Sequence, residues 1–143
     1  MWKVLDINND EMLSKFIEIQ NNVCPSCTYY NNKAYIRLLK DDLFLYEDGE
    51  HEMVLGFTFV PSRDNYTITH SMVGKTTDIN KAKVIFAKKI EEFLKEKGKN
   101  AMGAINLNVS TDKANEWFGL VFSAFEGLDV KVKVTDKIYE FTL

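Results

Sequence analysis

The sequence predicts an α/β domain of the α+β kind, with a mixed, mostly antiparallel central sheet of about six or seven strands flanked by about four helices. Three observations lead there. Runs with the two-residue period of strands and runs with the 3.6-residue period of helices alternate from one end of the chain to the other. Three strand-like runs follow one another between Leu43 and Val73, which is the signature of a meander. A long amphipathic pattern from Lys81 to Lys97 then separates that meander from further strands. The 143 residues, 45% of them hydrophobic, suit one shared core, so a single domain over 1–143 is expected. With 7 Gly and 2 Pro and no stretch rich in them, no linker or repeat interrupts it.

The elements follow in order. Trp2 to Ile7 alternates apolar and polar residues as a half-buried strand does. Asn8-Asn9-Asp10-Glu11 offers an N-cap, with Glu11 at capping-box distance from Asn8, before Met12, Leu13, Phe16, Ile17 and Ile19 recur at helical spacing. Tyr35, Ile36, Leu38 and Leu39 suggest a short second helix over Lys33 to Leu39. The meander is Leu43 to Tyr46, the turn Glu47-Asp48-Gly49-Glu50, Met53 to Val60, the break Pro61 to Asn65, and Tyr66 to Val73. Thr76 to Asn80 holds several possible caps for the long helix, whose stripe is Ile85, Phe86, Ile90, Phe93 and Leu94 and whose end is Gly98. Ala104 to Val109 reads as a buried strand and Ser110-Thr111-Asp112 as the cap of a fourth helix. Val130, Val132 and Val134 alternate with Lys131 and Lys133, and Ile138 to Leu143 closes a hairpin with them.

Charge and hydropathy exclude several functions. The net charge of −3 leaves no basic stripe to neutralise phosphates, and the lysines of residues 81–99 are interleaved with Glu91, Glu92 and Glu96, so no nucleic-acid partner is expected. The first residues carry neither a basic leader nor an apolar run, and no uninterrupted apolar stretch approaches about 18 residues. No membrane contact is expected, and the expected location is the cytoplasm.

The order strand, helix, short helix, three strands, long helix, strand, helix, two strands resembles the GNAT N-acetyltransferase superfamily over essentially the whole chain. Two local patterns add to it. The long helix ends in Lys95-Glu96-Lys97-Gly98 before a strand, and Thr111-x-x-Ala114-x-x-Trp117-Phe118 is similar to the family's Asn-x-x-Ala-x-x-aromatic-Tyr stretch. The resemblance implies a GNAT-like sheet and, at the start of the long helix, a loop of the form Arg/Gln-x-x-Gly-x-Gly/Ala whose amides meet the pyrophosphate of acetyl-CoA. Counted back from Gly98, that loop falls near Asp78 to Lys83, which makes Asn80, Lys81, Ala82 and Lys83 the cofactor-binding candidates. The segment has no glycine and Asp78 adds negative charge, partly offset by Lys81 and Lys83; Gly74-Lys75 would serve a longer loop.

The family's acid is often a Tyr that protonates the departing thiolate. Its counterpart here is Phe118, which has no proton to give. For the base, His70 in the third meander strand and Glu52 before the second are the catalytic candidates; Tyr46, Tyr66 and Tyr139 are possible substitute acids.

Cys24-Pro25-Ser26-Cys27 follows a helix instead of opening one, unlike a thioredoxin-type dithiol, and a zinc site would need His51 and His70 or another chain's cysteines. Two reduced thiols and no metal are expected. Two functions follow from these residues. One is a GNAT-like domain without catalysis or cofactor, acting as a structural or protein-interaction module of the kind seen among bacteriophage and virion-associated proteins, with a protein partner or self-association. The alternative is an active N-acetyltransferase moving acetyl from acetyl-CoA to an amine. A small-molecule or peptide binder in the cleft between splayed central strands shares the features of the first. Candidate contact residues are Tyr29, Tyr30, Trp117 and Phe125, and candidate pairing edges are Leu43 to Tyr46 and Ile138 to Leu143.

Overall fold

The computed structural model describes residues 1–23, 32–104, 123–135 and 138–143. In chain order they form β1 (Trp2–Val4), α1 (Asp10–Val23), α2 (Lys33–Leu38), β2 (Asp42–Glu47), β3 (His51–Val60), β4 (Asn65–Thr76), α3 (Ile79–Lys97), β5 (Ala101–Ala104), a 3₁₀ turn (Ser123–Phe125), β6 (Lys131–Thr135) and β7 (Ile138–Thr142). The strands make one seven-stranded sheet in the order β1-β2-β3-β4-β5-β7-β6. Every neighbouring pair is antiparallel except β4 and β5, which run parallel.

Alternation along the strands sends side chains to two separate cores. On one face Leu43, Leu45, Val54 and Met72 meet Leu13, Phe16, Ile19 and Val23 of α1 and Ile36 of α2. On the other, Phe44, Met53, Leu55, Phe57, Tyr66 and Ile68 meet Phe86, Ile90, Phe93 and Leu94 of α3. Phe57 and Phe93 stack there with ring centroids 3.8 Å apart. Each large apolar side chain taken fully out of water contributes about 1.5–3 kcal/mol. β2 and β3 are covered on both faces, which explains why Met53 to Phe57 is buried without interruption.

The helices begin and end where short polar residues and glycine dictate. Asn9, not Asn8, caps α1, its Oδ1 accepting the N–H of Met12 at 3.1 Å. Asn32 caps α2 through the N–H of Tyr35. α3 ends at Gly98, whose φ of 63° lies in the left-handed region and whose N–H reaches Leu94 O at 2.8 Å.

Some expectations need correction. The expected edges are interior: β2 lies between β1 and β3, and β7 between β5 and β6, so the sheet ends at β1 and β6. β5 starts at Ala101, earlier than expected, because its first residues extend the parallel pairing with β4. Among the described residues there are three α-helices and one 3₁₀ turn. The fourth expected helix, with Trp117 and Phe118, and the Cys24–Cys27 and Tyr29-Tyr30 segments lie outside the described residues. No described helix is long and apolar enough to cross a membrane.

Candidate active site

Among the described residues β4 and β5 pair through Tyr66↔Ala101 and Thr67↔Met102 alone. Beyond those pairs Gly103 and Ala104 bond to β7 alone among the described residues, so the two parallel strands part toward their C-terminal ends. α3 starts at Ile79, shortly after β4 ends at Thr76. The open end of this fork and the positive end of the α3 dipole therefore lie at the same end of the sheet. Clefts outside the carboxyl ends of parallel strands are where ligands of such sheets lodge.

The strand lining the fork is irregular. β4 pairs with β3 through Thr76↔His51 and Lys75↔Glu52, passes over Gly74, resumes with Val73↔Met53 and Met72↔Val54, and resumes again only at Thr69↔Gly56. The second bulge contains His70, whose φ of 46° lies in the left-handed region that a residue with a Cβ seldom enters. Holding it there costs about 1–3 kcal/mol. Its ring packs edge-on against Phe16 of α1 at 5.4 Å, and its Nδ1 hydrogen-bonds Oε1 of Gln20, which is fully buried. Since an amide oxygen only accepts, Nδ1 carries the hydrogen and Nε2 the lone pair. Burial pushes the imidazole pKa down to about 3, so His70 is neutral at physiological pH.

Gly56 stands beside this bulge because nothing larger fits. A Cβ there would lie 2.7 Å from Thr69 Oγ1 and 2.8 Å from both His70 Cδ2 and Leu43 Cδ2. The Thr69 hydroxyl is buried without a hydrogen-bond partner among the described residues.

Glu52 is elsewhere. It faces Lys75 across the β3–β4 ladder, five residues further along β4 than His70, and its carboxylate lies 2.6 Å from Lys15 Nζ of α1. That hydrogen bond raises the Lys15 pKa, with Glu18 and Glu47 adding to it through space. The structure thus does not bring His70 and Glu52 together. Nor does it join the two histidines. His51 shares the face of Met53, Leu55 and Phe57, while His70 is on the α1 face. A groove of about 840 Å³, with Lys3, Glu11, Lys15, Glu18 and Glu47 among its walls, opens beside α1 and shares no lining residue with the fork.

The cofactor-binding candidates form the first turn of α3 and not a loop. Asp78 is the N-cap, and its Oδ1 accepts the N–H groups of Asn80 at 3.1 Å and Lys81 at 3.3 Å. Ala82 is fully buried and gives its N–H to Asp78 O. Lys81 Nζ lies 3.7 Å from Glu50, and Lys83 Nζ donates to Ser123 Oγ at 3.2 Å.

Three solved structures resemble this chain over nearly its whole length. An aminoglycoside 6'-acetyltransferase type Ii superposes with a TM-score of 0.65 at 10% identity, covering 99% of this chain and 94% of that one. The aminoglycoside 6'-N-acetyltransferase from Enterococcus faecium gives 0.61 at 10% identity, and an aminoglycoside 6'-N-acetyltransferase complexed with coenzyme A gives 0.60 at 11%; each covers 99% of this chain and 93% of its own. This is the GNAT fold. At such identities the likeness is one of fold, and no family model and no curated protein matches the sequence. The expectation of a GNAT-like chain without a cofactor is corrected by this comparison, since one of the GNAT structures it resembles holds coenzyme A.

Two features of the site escaped the sequence. Gln20 was legible only as a polar residue on the buried stripe of α1, four positions after Phe16. The bulge at His70 leaves no mark in the alternation of Tyr66, Ile68, His70 and Met72, all of which are buried.

Proposed function

We propose that this protein transfers an acetyl group from acetyl-CoA to an amine. The observation that carries the reading is the fork between β4 and β5, which opens at the end of the sheet where α3 begins. Past Thr67 the β4 edge has no β5 partner among the described residues, and an extended, amide-bearing arm fits there as an added strand. Lys75 near the end of β4 and Lys81 and Lys83 near the start of α3 would supply positive charge for a diphosphate, Lys81 leaving Glu50 and Lys83 leaving Ser123 to do so. Asp78 already holds the amides of Asn80 and Lys81, so lysine ammonium groups, more than helix amides, hold the diphosphate in this reading. Aminoglycosides, the substrates named for the similar structures, are amines.

Bound acetyl-CoA supplies an activated thioester; what the chain supplies is position. His70 fixes the bulge of the strand that lines the fork, anchored from behind by Gln20. An imidazole with a pKa near 3 takes up no proton at neutral pH, so His70 acts as a positioning residue and the amine proton leaves to water. Glu52, paired with Lys15, anchors α1 to β3.

Calorimetric titration of acetyl-CoA into the reduced protein tests this, with Lys81→Glu as the control. Micromolar to sub-millimolar binding, weakened at least about five-fold by the reversal of charge, is expected. Thiol release from acetyl-CoA in the presence of a polyamine or aminoglycoside should follow. An absence of binding up to millimolar ligand would sink the reading and leave a GNAT-fold scaffold for a protein partner.

A further inference from the structure

The β2–β3 hairpin carries a second group of residues that the acetyl-transfer reading does not use. A ring nitrogen of His51 and one carboxylate oxygen each from Asp48 and Glu50 all lie within 4.8 Å of one another. Asp48 and Glu50 are exposed at the turn, while His51 is fully buried beneath it.

Hydrogen bonds hold Asp48 and His51, and the exposed Glu50 carboxylate lies 3.7 Å from Lys81 Nζ. Asp48 Oδ1 accepts the N–H groups of Glu50 at 2.9 Å and His51 at 2.7 Å, and its Oδ2 accepts the Tyr46 hydroxyl at 2.9 Å. Those contacts orient the carboxylate and leave it further lone pairs. His51 Nδ1 is 2.7 Å from the Thr76 hydroxyl, which sets the ring. Its other nitrogen, Nε2, is buried and has no hydrogen-bond partner among the described residues. An imidazole that gives one nitrogen to a nearby oxygen and keeps the other for a cation is the arrangement that metal-binding histidines adopt. A buried polar atom left without a partner calls for an ion or a water.

We propose that Asp48, Glu50 and His51 bind a divalent transition-metal ion of the zinc class. One imidazole with two carboxylates suits such a borderline cation, whereas calcium and magnesium prefer oxygen alone. Donors around a tetrahedral ion bonded at about 2.0–2.2 Å stand roughly 3.5 Å apart, inside the 4.8 Å limit seen here, and Glu50 would exchange its contact with Lys81 for the ion. Completion of the shell falls to water.

The test uses the full chain carrying Cys24→Ser and Cys27→Ser, so that no thiolate competes. Zinc is titrated by calorimetry and cobalt by its visible absorption. One equivalent should bind, and both Glu50→Gln and His51→Gln should weaken binding at least about ten-fold. Circular dichroism of each variant checks its fold; if His51→Gln does not fold, the exposed Glu50→Gln decides. Absence of zinc binding, or binding indifferent to Glu50→Gln, would overturn the proposal.

Discussion

His70 gives its Nδ1 hydrogen to Oε1 of Gln20, fifty residues earlier in the chain, and so ties the bulge of β4 to the buried face of α1. Both residues are polar and both are buried, so the bond between them offsets part of what it costs to take these groups out of water. Replacing Gln20 with Leu keeps the helix and its volume but leaves a buried N–H without its acceptor. Chemical denaturation should show a loss of about 1–3 kcal/mol; a variant as stable as the parent would mean that the bond contributes nothing.

The same histidine makes stability depend on pH. Unfolded, it titrates near 6.5; folded, burial holds it to about 3. Above pH 6.5 both states are neutral and the full stability is present. As pH falls from 6.5 toward 3 the unfolded chain takes up a proton that the folded one refuses, and stability declines by up to about 1.4 kcal/mol per unit. Urea midpoints should drop in the parent between pH 7 and 5. They should stay level in His70→Asn, which also tolerates the left-handed backbone.

Gly56→Ala should destabilise the domain by about 1–3 kcal/mol, because its Cβ would press on Thr69, His70 and Leu43 at once. Thermal unfolding reads it directly. Unchanged melting would mean that the bulge yields more easily than its contacts suggest.

Asp78→Asn separates the cap from its charge. Asparagine caps as well as aspartate, so stability should barely move. Under the acetyl-transfer reading, removing a negative charge from the start of α3 should tighten acetyl-CoA binding at least about five-fold, whereas Asp78→Ala should also cost about 1 kcal/mol of stability. Calorimetry beside denaturation distinguishes the two effects, and unaltered affinity in Asp78→Asn would place the diphosphate away from α3.

If His70 only positions the strand, the rate of acetyl transfer should rise with pH through the pKa of the amine and show no break near 6.5. A break there that vanishes in His70→Asn would make the imidazole a base after all.

What could be seen in the sequence was what neighbours along the chain decide. The stripe of α3, a cap somewhere in Thr76 to Asn80 and the helix end at Gly98 depend on residues a few positions apart; the stripe and the end hold, and the structure sets the cap at Asp78. The meander was legible because its turns are marked by Asp48-Gly49 and Pro61 to Asn65. Strand adjacency was not. β7 reads as an edge until the structure sets it between β5 and β6, since nothing in Ile138 to Leu143 says what lies on either side. His70 looked like an available base because exposure, bulge and pKa all depend on Gln20 and Phe16, which are brought to it only by folding. For Asn80 to Lys83 the composition was readable, but the way Asp78 takes their amides is a matter of geometry.

The mismatch between β3 and β4 bears on how this chain tolerates insertion and deletion. β4 has 12 residues against 10 in β3, and the ladder accommodates the surplus by stepping over Gly74 and again at His70. Loss of Gly74 would therefore join Val73 and Lys75 into a regular ladder without turning any side chain to the wrong face. Loss of Ile68, which is paired with Phe57 on the far side of the second bulge, would instead pull Thr69 out of its register with Gly56. Length changes that survive in related chains should gather at the surplus positions and spare the paired ones.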